Sequence, residues 1–180
     1  MTSLDRFIQR ARISKAAGHI PSGARVLDIG SADGALFRQV KHIGSGIGID
    51  PLLERQVDLG AVQLIPGLFP SALPTREPFD VITMLAVLEH VPRTAQPELA
   101  RNCAAFLRSG GRLIVTVPSP AVDTILDWLR AARLIDGMSL EQHYGFTPAE
   151  TRPVFGSAGL SVIAQERFQF GLNNLFVFVK

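Results

Sequence analysis

The stretch with the clearest potential for chemistry runs from Val26 to Gly34 and reads VLDIGSADG. Its apolar first half predicts a buried strand that carries an acid, Asp28, near its end, and Gly30 and Gly34 allow a ligand to approach the backbone. A second apolar segment ends in Asp50, about twenty residues further on, where an acid can accept hydrogen bonds from both ribose hydroxyls. Together these residues predict a site for a nucleoside-type ligand.

The charge of Asp28 narrows the choice of ligand. In dinucleotide-binding loops a pyrophosphate lies against the helix after the first strand, and a carboxylate at that place would repel it. A ligand with a positively charged amino-acid end and no phosphate is attracted instead. S-adenosylmethionine has this chemistry and accounts for both Asp28 and Asp50. Taken singly, the glycines also suit simple turns, and Asp50-Pro51 also suits a helix start.

The elements that must position these residues alternate between strands and helices. The predicted strands are residues 24–29, 46–49, 63–65, 79–84, 112–117, 161–165 and 174–179, the last two forming a hairpin through Gly171. The predicted helices are 3–19, 35–42, 97–107, 121–135 and 148–158, with a proline-rich loop at 66–78. This alternation predicts an α/β fold with a doubly wound sheet and ligands at the carboxyl ends of its strands.

The pattern as a whole resembles the class I methyltransferases of the broad small-molecule type, which use S-adenosylmethionine. Asp28, Gly30 and Gly34 match the acid-Gly-x-x-x-Gly loop of that family, while residues 79–90 and 107–113 resemble its fourth strand and the run into its fifth. The resemblance covers nearly all 180 residues. It implies a Rossmann-like, seven-stranded, mostly parallel sheet with an antiparallel C-terminal hairpin and helices on both faces.

The resemblance also implies residue roles, with Asp28 near the methionine amino group, Asp50 on the ribose, and S-adenosylhomocysteine as the product. The expected cofactor contacts are Asp28, Gly30, Ser31, Ala32, Asp33, Gly34, Asp50, Pro51, Leu68 and Leu85. Two departures stand out. Ala32 replaces a glycine that is common in the family, which we expect to be tolerated if the local backbone avoids positive φ. An acid that often contacts adenine has no counterpart in residues 66–70, so apolar and backbone contacts are expected there.

Catalysis needs few specialised residues, because methyl transfer from a sulfonium is an in-line displacement that depends mainly on positioning. For a hydroxyl or acidic carbon acceptor a general base helps, and His90 and His143 compete for that role. A structural role is open for each of them. Glu89 is ambiguous between an acid beside the acceptor and a solvated residue.

Residues 118–147 form a longer connection than the fold requires, and we hypothesise a substrate lid there. Trp128 and Tyr144 within it are candidate substrate contacts. The alternative is that the helix around Trp128 packs on the domain or on a second subunit.

Composition sets the remaining bounds. A formal charge of +2 with basic residues spread along the chain argues against a nucleic-acid partner, and a 47% hydrophobic content suits one domain spanning 1–180, with a leading helix at 1–20. No membrane span or signal segment is expected, which indicates a cytoplasmic protein, and self-association is left open. A lone Cys103 suits packing, and four scattered histidines predict no metal site.

The sequence therefore predicts an S-adenosylmethionine-dependent methyltransferase that acts on an unidentified small-molecule or lipid-like acceptor, with oxygen, carbon and nitrogen acceptors all open. A catalytically silent, methyltransferase-like binding subunit is the alternative. A nicotinamide-dependent dehydrogenase is disfavoured, because the loop lacks the Gly-x-Gly-x-x-Gly order and carries Asp28.

Overall fold

The computed structural model describes residues 3–119 and 147–180. Its helices are α1 (Ser3–Ala17), α2 (Ala35–Gln39), α3 (Gln96–Phe106) and α4 (Pro148–Gly156), with a 3₁₀ helix at Leu88–His90. Its strands are β1 (Arg25–Ile29), β2 (Ser45–Asp50), β3 (Val57–Asp58), β4 (Val62–Pro66), β5 (Phe79–Leu85), β6 (Leu107–Pro118), β7 (Ser161–Phe168) and β8 (Asn173–Val179).

These strands form one sheet in the order β3-β4-β2-β1-β5-β6-β8-β7. The five inner strands from β4 to β6 pair in parallel, and β8 pairs antiparallel with both β6 and β7. The predicted α/β class, doubly wound sheet and C-terminal hairpin are confirmed. The sheet has eight strands rather than the expected seven, since the two-residue strand Val57–Asp58 pairs antiparallel at the β4 edge. A strand of two residues is too short to leave a periodic signal in the sequence.

Helices pack on both faces of the sheet, as expected. Adjacent residues of a strand point to opposite faces, so Val26 joins one apolar core and Leu27 the other. On the Val26 face the core includes Ile13 of α1 and Phe37 of α2. The core on the opposite face takes buried side chains from α3 and α4, including the fully buried Phe155. The inner strands are therefore apolar on both sides, which explains their nearly continuous hydrophobic runs.

Most element boundaries differ from the sequence prediction by a few residues, and two of these differences have a local structural cause. The helix expected at 35–42 ends at Gln39, because the chain turns into β2 after Val40. The fifth long strand was expected from 112 but begins at Leu107, which pairs with Phe79 before a register shift. Gly110 and Gly111, predicted as a turn, therefore lie in the irregular first part of β6. The N–H of Gly110 donates to the carbonyl of Lys180. The predicted helix at 121–135 lies outside the described residues.

The C-terminal end of α1 is fixed to the edge strand β7. Lys15 Nζ lies 2.9 Å from Glu166, and His19 Nε2 lies 3.1 Å from the other oxygen of the same carboxylate. Hydrogen bonds from these two side chains hold the pKa of Glu166 below its usual range. This contact helps to hold α1 against one face of the sheet, where its apolar side chains pack on β1, β5 and β8. No helix in the described part of the chain is long and apolar enough to cross a bilayer.

Candidate active site

The predicted site lies where the strand order reverses. β1 has β2 on one side and β5 on the other, and the connections from these strands leave toward opposite faces. Asp28 is opposite Gly48 on β2 and Thr83 on β5. In open α/β sheets a crevice forms at such a reversal, at the carboxyl ends of the strands. The sheet therefore brings Asp28 to the place where a ligand is expected.

The loop after β1 is built by hydrogen bonds to β2. The N–H groups of Gly30 and Ser31 both donate to the carbonyl of Ile49, at 2.8 and 3.2 Å, and Gly34 N–H closes the turn onto the carbonyl of Ser31. Gly30 and Gly34 both have φ near the left-handed region, at 75° and 77°. A Cβ at Gly30 would also lie 2.3 Å from Val87 Cγ2. Both glycines are therefore favoured by backbone conformation, a reason separate from the backbone space that the sequence predicted there.

Ala32 departs from the expectation that its backbone avoids positive φ. Its φ is 45°, a conformation that costs an L-residue about 1 kcal/mol or more. The amide of Ala32 donates to Asp50 Oδ2 at 2.8 Å, and Leu52 N–H donates to Asp50 Oδ1 at 2.8 Å. The hydrogen bond to Asp50 holds Ala32 in this strained conformation. Asp50 therefore also shapes the loop that follows Asp28.

Asp28 is a buried acid with an altered proton affinity. Its side chain is 4% exposed, and Thr83 Oγ1 donates a hydrogen bond of 2.7 Å to Asp28 Oδ1. Burial raises the pKa of Asp28 to about 7; the Thr83 hydrogen bond opposes that rise, and the charge of Asp50 adds to it. A buried carboxylate of this kind is stabilised by a cation placed against it. An acid with a perturbed pKa in a crevice is a candidate for a functional residue.

The loop also holds a buried hydroxyl that suits a ligand. Ser31 Oγ is buried, and it has no hydrogen-bond partner in the described residues. Buried polar atoms are rarely left unsatisfied in folded proteins. Together with Asp28 and the backbone space at Gly30 and Gly34, Ser31 fits the charged amino-acid end of S-adenosylmethionine. Asp33, also predicted at this site, is exposed and pairs with Arg38 of α2.

The expected adenine side of the site is apolar. Gly67 N–H donates to the carbonyl of Asp50 at 3.1 Å, which brings the loop containing Leu68 to the end of β2. Leu68 is 65% exposed and Leu52 is 88% exposed, although both are large apolar side chains. Pro51 is exposed beside Leu52, whereas Leu85 is half-buried against the core. Exposed leucines at a crevice suit apolar contact with an adenine ring. This matches the sequence, which lacks the acid that often contacts adenine in the family.

Glu89 and His90 belong to the 3₁₀ helix at the carboxyl end of β5, as their sequence position predicted. Glu89 is buried rather than solvated, at 3% exposure. Burial lowers the pKa of the Arg12 guanidinium, and the negative charge of nearby Glu89 offsets part of this effect. Arg12 Nε also donates to Asn173 Oδ1 at 3.1 Å. The first residue after β5, Ala86, has φ of 59°, so strained backbone occurs on both sides of the crevice.

Several predicted residues fall outside the described part of the chain. They are His143, Trp128 and Tyr144, together with residues 120–146 of the predicted lid. Within the described ranges 3–119 and 147–180, no group of three or more metal-ligating side chains is found. Cys103 is buried within the core, and burial raises the pKa of its thiol to about 12.

Comparison with known proteins decides the family. A family model described as a methyltransferase domain matches residues 3–165. The chain belongs to this methyltransferase-domain family. The resemblance to class I, S-adenosylmethionine-dependent methyltransferases is thereby confirmed, and so is the enzyme class.

Curated relatives of this chain include ubiquinone biosynthesis O-methyltransferases from bacteria. The one from Burkholderia thailandensis is 33% identical over 106 residues, which cover 53% of this chain and 44% of the relative. The one from Aeromonas salmonicida is 31% identical over 156 residues, covering 78% of this chain and 64% of the relative. The chain thus spans between about two fifths and two thirds of the length of these relatives.

Solved structures share the fold. The 1,6-didemethyltoxoflavin-N1-methyltransferase of Burkholderia thailandensis, with its substrate and S-adenosylhomocysteine bound, has a TM-score of 0.69 at 20% identity, covering 95% of this chain and 77% of that chain. CalO1, a methyltransferase of calicheamicin biosynthesis with S-adenosylhomocysteine bound, has a TM-score of 0.68 at 22% identity, covering 93% of this chain and 52% of that chain. At these identities the similarity establishes the fold.

Sequence reasoning missed four residues of this site. Thr83 appears in the sequence as one more buried strand residue, and only its register opposite Asp28 shows its role. Leu52 follows Pro51 directly and was missed, because no periodic pattern in the sequence predicts that its side chain is exposed. Arg12 and Asn173 lie 161 residues apart in the chain. The sequence signal for Thr83 is that it is a polar residue within a strand that is otherwise mostly apolar. A hydroxyl buried in such a strand needs a hydrogen-bond partner.

Proposed function

We propose that this methyltransferase transfers the methyl group of S-adenosylmethionine to a hydroxyl oxygen of a small or lipid-like apolar acceptor. The observation that carries the cofactor assignment is the buried Asp28 beside the unsatisfied Ser31 hydroxyl, at the strand-order reversal. The choice of oxygen is supported by relatives described as O-methyltransferases. The chain spans only part of those relatives, so the activity of the whole protein belongs to the proposal.

Each side chain of the crevice has a distinct part in holding the cofactor. The buried Asp28 carboxylate would hold the ammonium group of the methionine end, and Ser31 Oγ would donate a hydrogen bond to its carboxylate. Each Asp50 oxygen accepts one backbone N–H, from Leu52 and from Ala32, and keeps a lone pair for a ribose hydroxyl. Leu52 and Leu68 would hold the adenine by apolar contact.

The chain's own contribution to the reaction is orientation and proton removal. The bound cofactor supplies an electrophilic methyl group on a positively charged sulfur. His90, half-buried at the carboxyl end of β5, accepts the proton of the acceptor hydroxyl. Glu89 precedes His90 in the same 3₁₀ helix, and its charge acts on the Arg12 guanidinium. Residues 118–147 are the predicted lid for the acceptor, with Trp128 and Tyr144 as its candidate substrate contacts, and His143 is the alternative base.

Calorimetric titration tests the cofactor assignment. Wild type should bind S-adenosylmethionine with micromolar affinity and should not bind NAD. Asp28→Asn keeps the volume and the hydrogen bond from Thr83 but removes the negative charge, so affinity should fall at least tenfold. Absence of binding by wild type would disprove the assignment.

Transfer of labelled methyl from the cofactor tests the reaction. Phenolic and catecholic acceptors with short apolar chains should be labelled, whereas amine analogues of the same shape should not. For His90→Gln, the methylation rate should fall at least a hundredfold with unchanged cofactor affinity, and the loss should shrink at high pH. A loss that is constant with pH would assign His90 a structural role and direct attention to His143.

A catalytically silent binding subunit is the second candidate, favoured by one observation: Ala32 occupies a strained loop position with φ of 45°. A silent subunit binds the cofactor but labels no acceptor. Cofactor binding together with failure of every acceptor class, including amines and carbon acids, would support this candidate.

A further inference from the structure

A basic cleft lies between α1 and α2, beside the cofactor loop. It encloses about 490 Å³, and its lining includes Arg6, Arg10 and Arg38, with Gln9 and Gln39 as neutral hydrogen-bond donors. This volume lies within the range of small-molecule sites. The cleft is not part of the crevice between β1 and β5 described above.

Positive charge is concentrated in this cleft. Asp33 is the acid in the lining, and it is bound by Arg38, whose Nη1 and Nη2 donate to the Asp33 carbonyl and carboxylate. In the described part of the chain, neither Arg6 nor Arg10 belongs to an ion pair. The cleft therefore has an excess of two positive charges, equal to the formal net charge of the whole chain, +2.

The arrangement of the arginines favours a bound anion. Arg6 and Arg10 are four residues apart on α1, so their side chains are neighbours on one face of the helix and repel each other. Arg38 approaches from α2, on the opposite wall of the cleft. Gln39 Nε2 donates to the backbone carbonyl of Arg10 at 3.1 Å, which ties the two walls together. Planar guanidinium groups on two walls match the tetrahedral oxygens of a phosphate group.

We propose that this cleft binds a phosphate group, either of a soluble phosphate ester or of a lipid headgroup. Arg6 and Arg10 contact its oxygens from α1, and Gln9 donates a neutral hydrogen bond from the same helix. Arg38, still paired with Asp33, contributes from α2 and connects the site to the loop that includes Ser31 and Gly34. The cleft shares Asp33 with the cofactor contacts predicted from the sequence, but its lining includes none of the side chains assigned to the cofactor under the proposed function, so the site stands whether or not the acceptor assignment is correct.

The test compares two double variants of the full chain. Arg6→Gln with Arg10→Gln removes two charges from the cleft, and Arg55→Gln with Arg101→Gln removes two charges from exposed arginines elsewhere. All four side chains are exposed, so both variants should keep the wild-type circular dichroism spectrum. Each is titrated at low ionic strength with inorganic pyrophosphate, and each is sedimented with vesicles of phosphatidylglycerol or of phosphatidylcholine.

Pyrophosphate binding that weakens at least tenfold in the cleft variant, and less than twofold in the control variant, supports a soluble phosphate ester. Binding to phosphatidylglycerol vesicles alone, lost in the cleft variant and kept in the control, supports a lipid headgroup. Absence of binding to both probes by wild type, or equal losses in the two variants, overturns the proposal. Titration of wild type with S-adenosylmethionine in the same buffer reports on the cofactor site independently.

Discussion

Thr83 Oγ1 donates a 2.7 Å hydrogen bond to Asp28 Oδ1 across the β1–β5 pairing, and the Thr83 side chain is fully buried. This bond holds the carboxylate in one orientation at the carboxyl end of β1. It also stabilises the charged form of an acid that burial would otherwise keep protonated. The behaviour of Asp28 with pH follows from these two opposing effects.

Asp28 should make the protein less stable as pH rises. Its folded-state pKa of about 7 is above the value of about 3.9 for an unfolded chain, so the folded state binds the proton more tightly. The stabilisation from protonated Asp28 is complete below about pH 4 and is lost as pH rises through about 7. Between pH 5 and 8, the free energy of unfolding of Asp28→Asn relative to wild type should rise by roughly 2–3 kcal/mol, as measured by urea denaturation. A difference independent of pH would contradict the raised pKa.

Thr83→Val should move the pH dependence of cofactor binding upward. Valine has nearly the same shape as threonine but cannot donate, so the Asp28 charge loses its hydrogen bond and its pKa rises further. Affinity for S-adenosylmethionine in wild type should increase as pH rises through about 7, because ionised Asp28 attracts the ammonium group. In Thr83→Val the midpoint should shift up by roughly one pH unit. Thr83→Ser keeps the hydroxyl and should retain the wild-type midpoint.

Ala32→Gly should relieve the strained loop. Glycine adopts φ of 45° freely, and the gain of about 1–2 kcal/mol is partly offset by about 0.4–1 kcal/mol of unfolded-state entropy. The free energy of unfolding should therefore stay constant or rise by up to about 1 kcal/mol, with cofactor affinity unchanged or higher. Ala35→Gly, in the first turn of α2, is the matched control and should destabilise by up to about 1 kcal/mol. Equal destabilisation by both variants would show that Ala32 is unstrained.

Gly30→Ala should be strongly destabilising for two separable reasons. The new Cβ would lie 2.3 Å from Val87 Cγ2, and φ of 75° is unfavourable for alanine, so a loss of about 2–4 kcal/mol is expected. Gly23→Ala has φ of 76° with no atom near the new Cβ, and should lose only the conformational part, about 1–2 kcal/mol. Combining Gly30→Ala with Val87→Ala should recover the difference, as measured in a double-mutant cycle. Strict additivity would refute the clash.

Arg12→Gln should destabilise the fold by about 1–2 kcal/mol, less than the loss for a fully buried pair because Arg12 is only partly buried. The change removes a positive charge near buried Glu89 and the hydrogen bond to Asn173. Arg12→Lys keeps the charge and should recover at least half of the loss. Thermal and urea denaturation at pH 7 measure both. Identical stability of Arg12→Gln and wild type would mean that Arg12 does not stabilise Glu89.

The sequence determined the elements and the cofactor loop. Apolar runs and glycine positions are local signals, because strand burial and left-handed φ depend on neighbouring residues. The strands around Asp28 and Asp50, the C-terminal hairpin and the proline-rich loop were therefore found within a few residues. The loop's two glycines were predicted for close approach of a ligand, and the structure adds a second reason for them, since both have positive φ.

The tertiary structure decided what these elements bring together. Pairing register set Thr83 opposite Asp28, and packing of α1 over the sheet brought Arg12 near Glu89 and Asn173. The positive φ of Ala32 arises from its hydrogen bond to Asp50, which lies 18 residues away. Burial, register and proton affinity depend on residues distant in the chain, and a local pattern carries no information about them. The sequence alone thus predicted the ligand class of the site, and the fold determined its electrostatics.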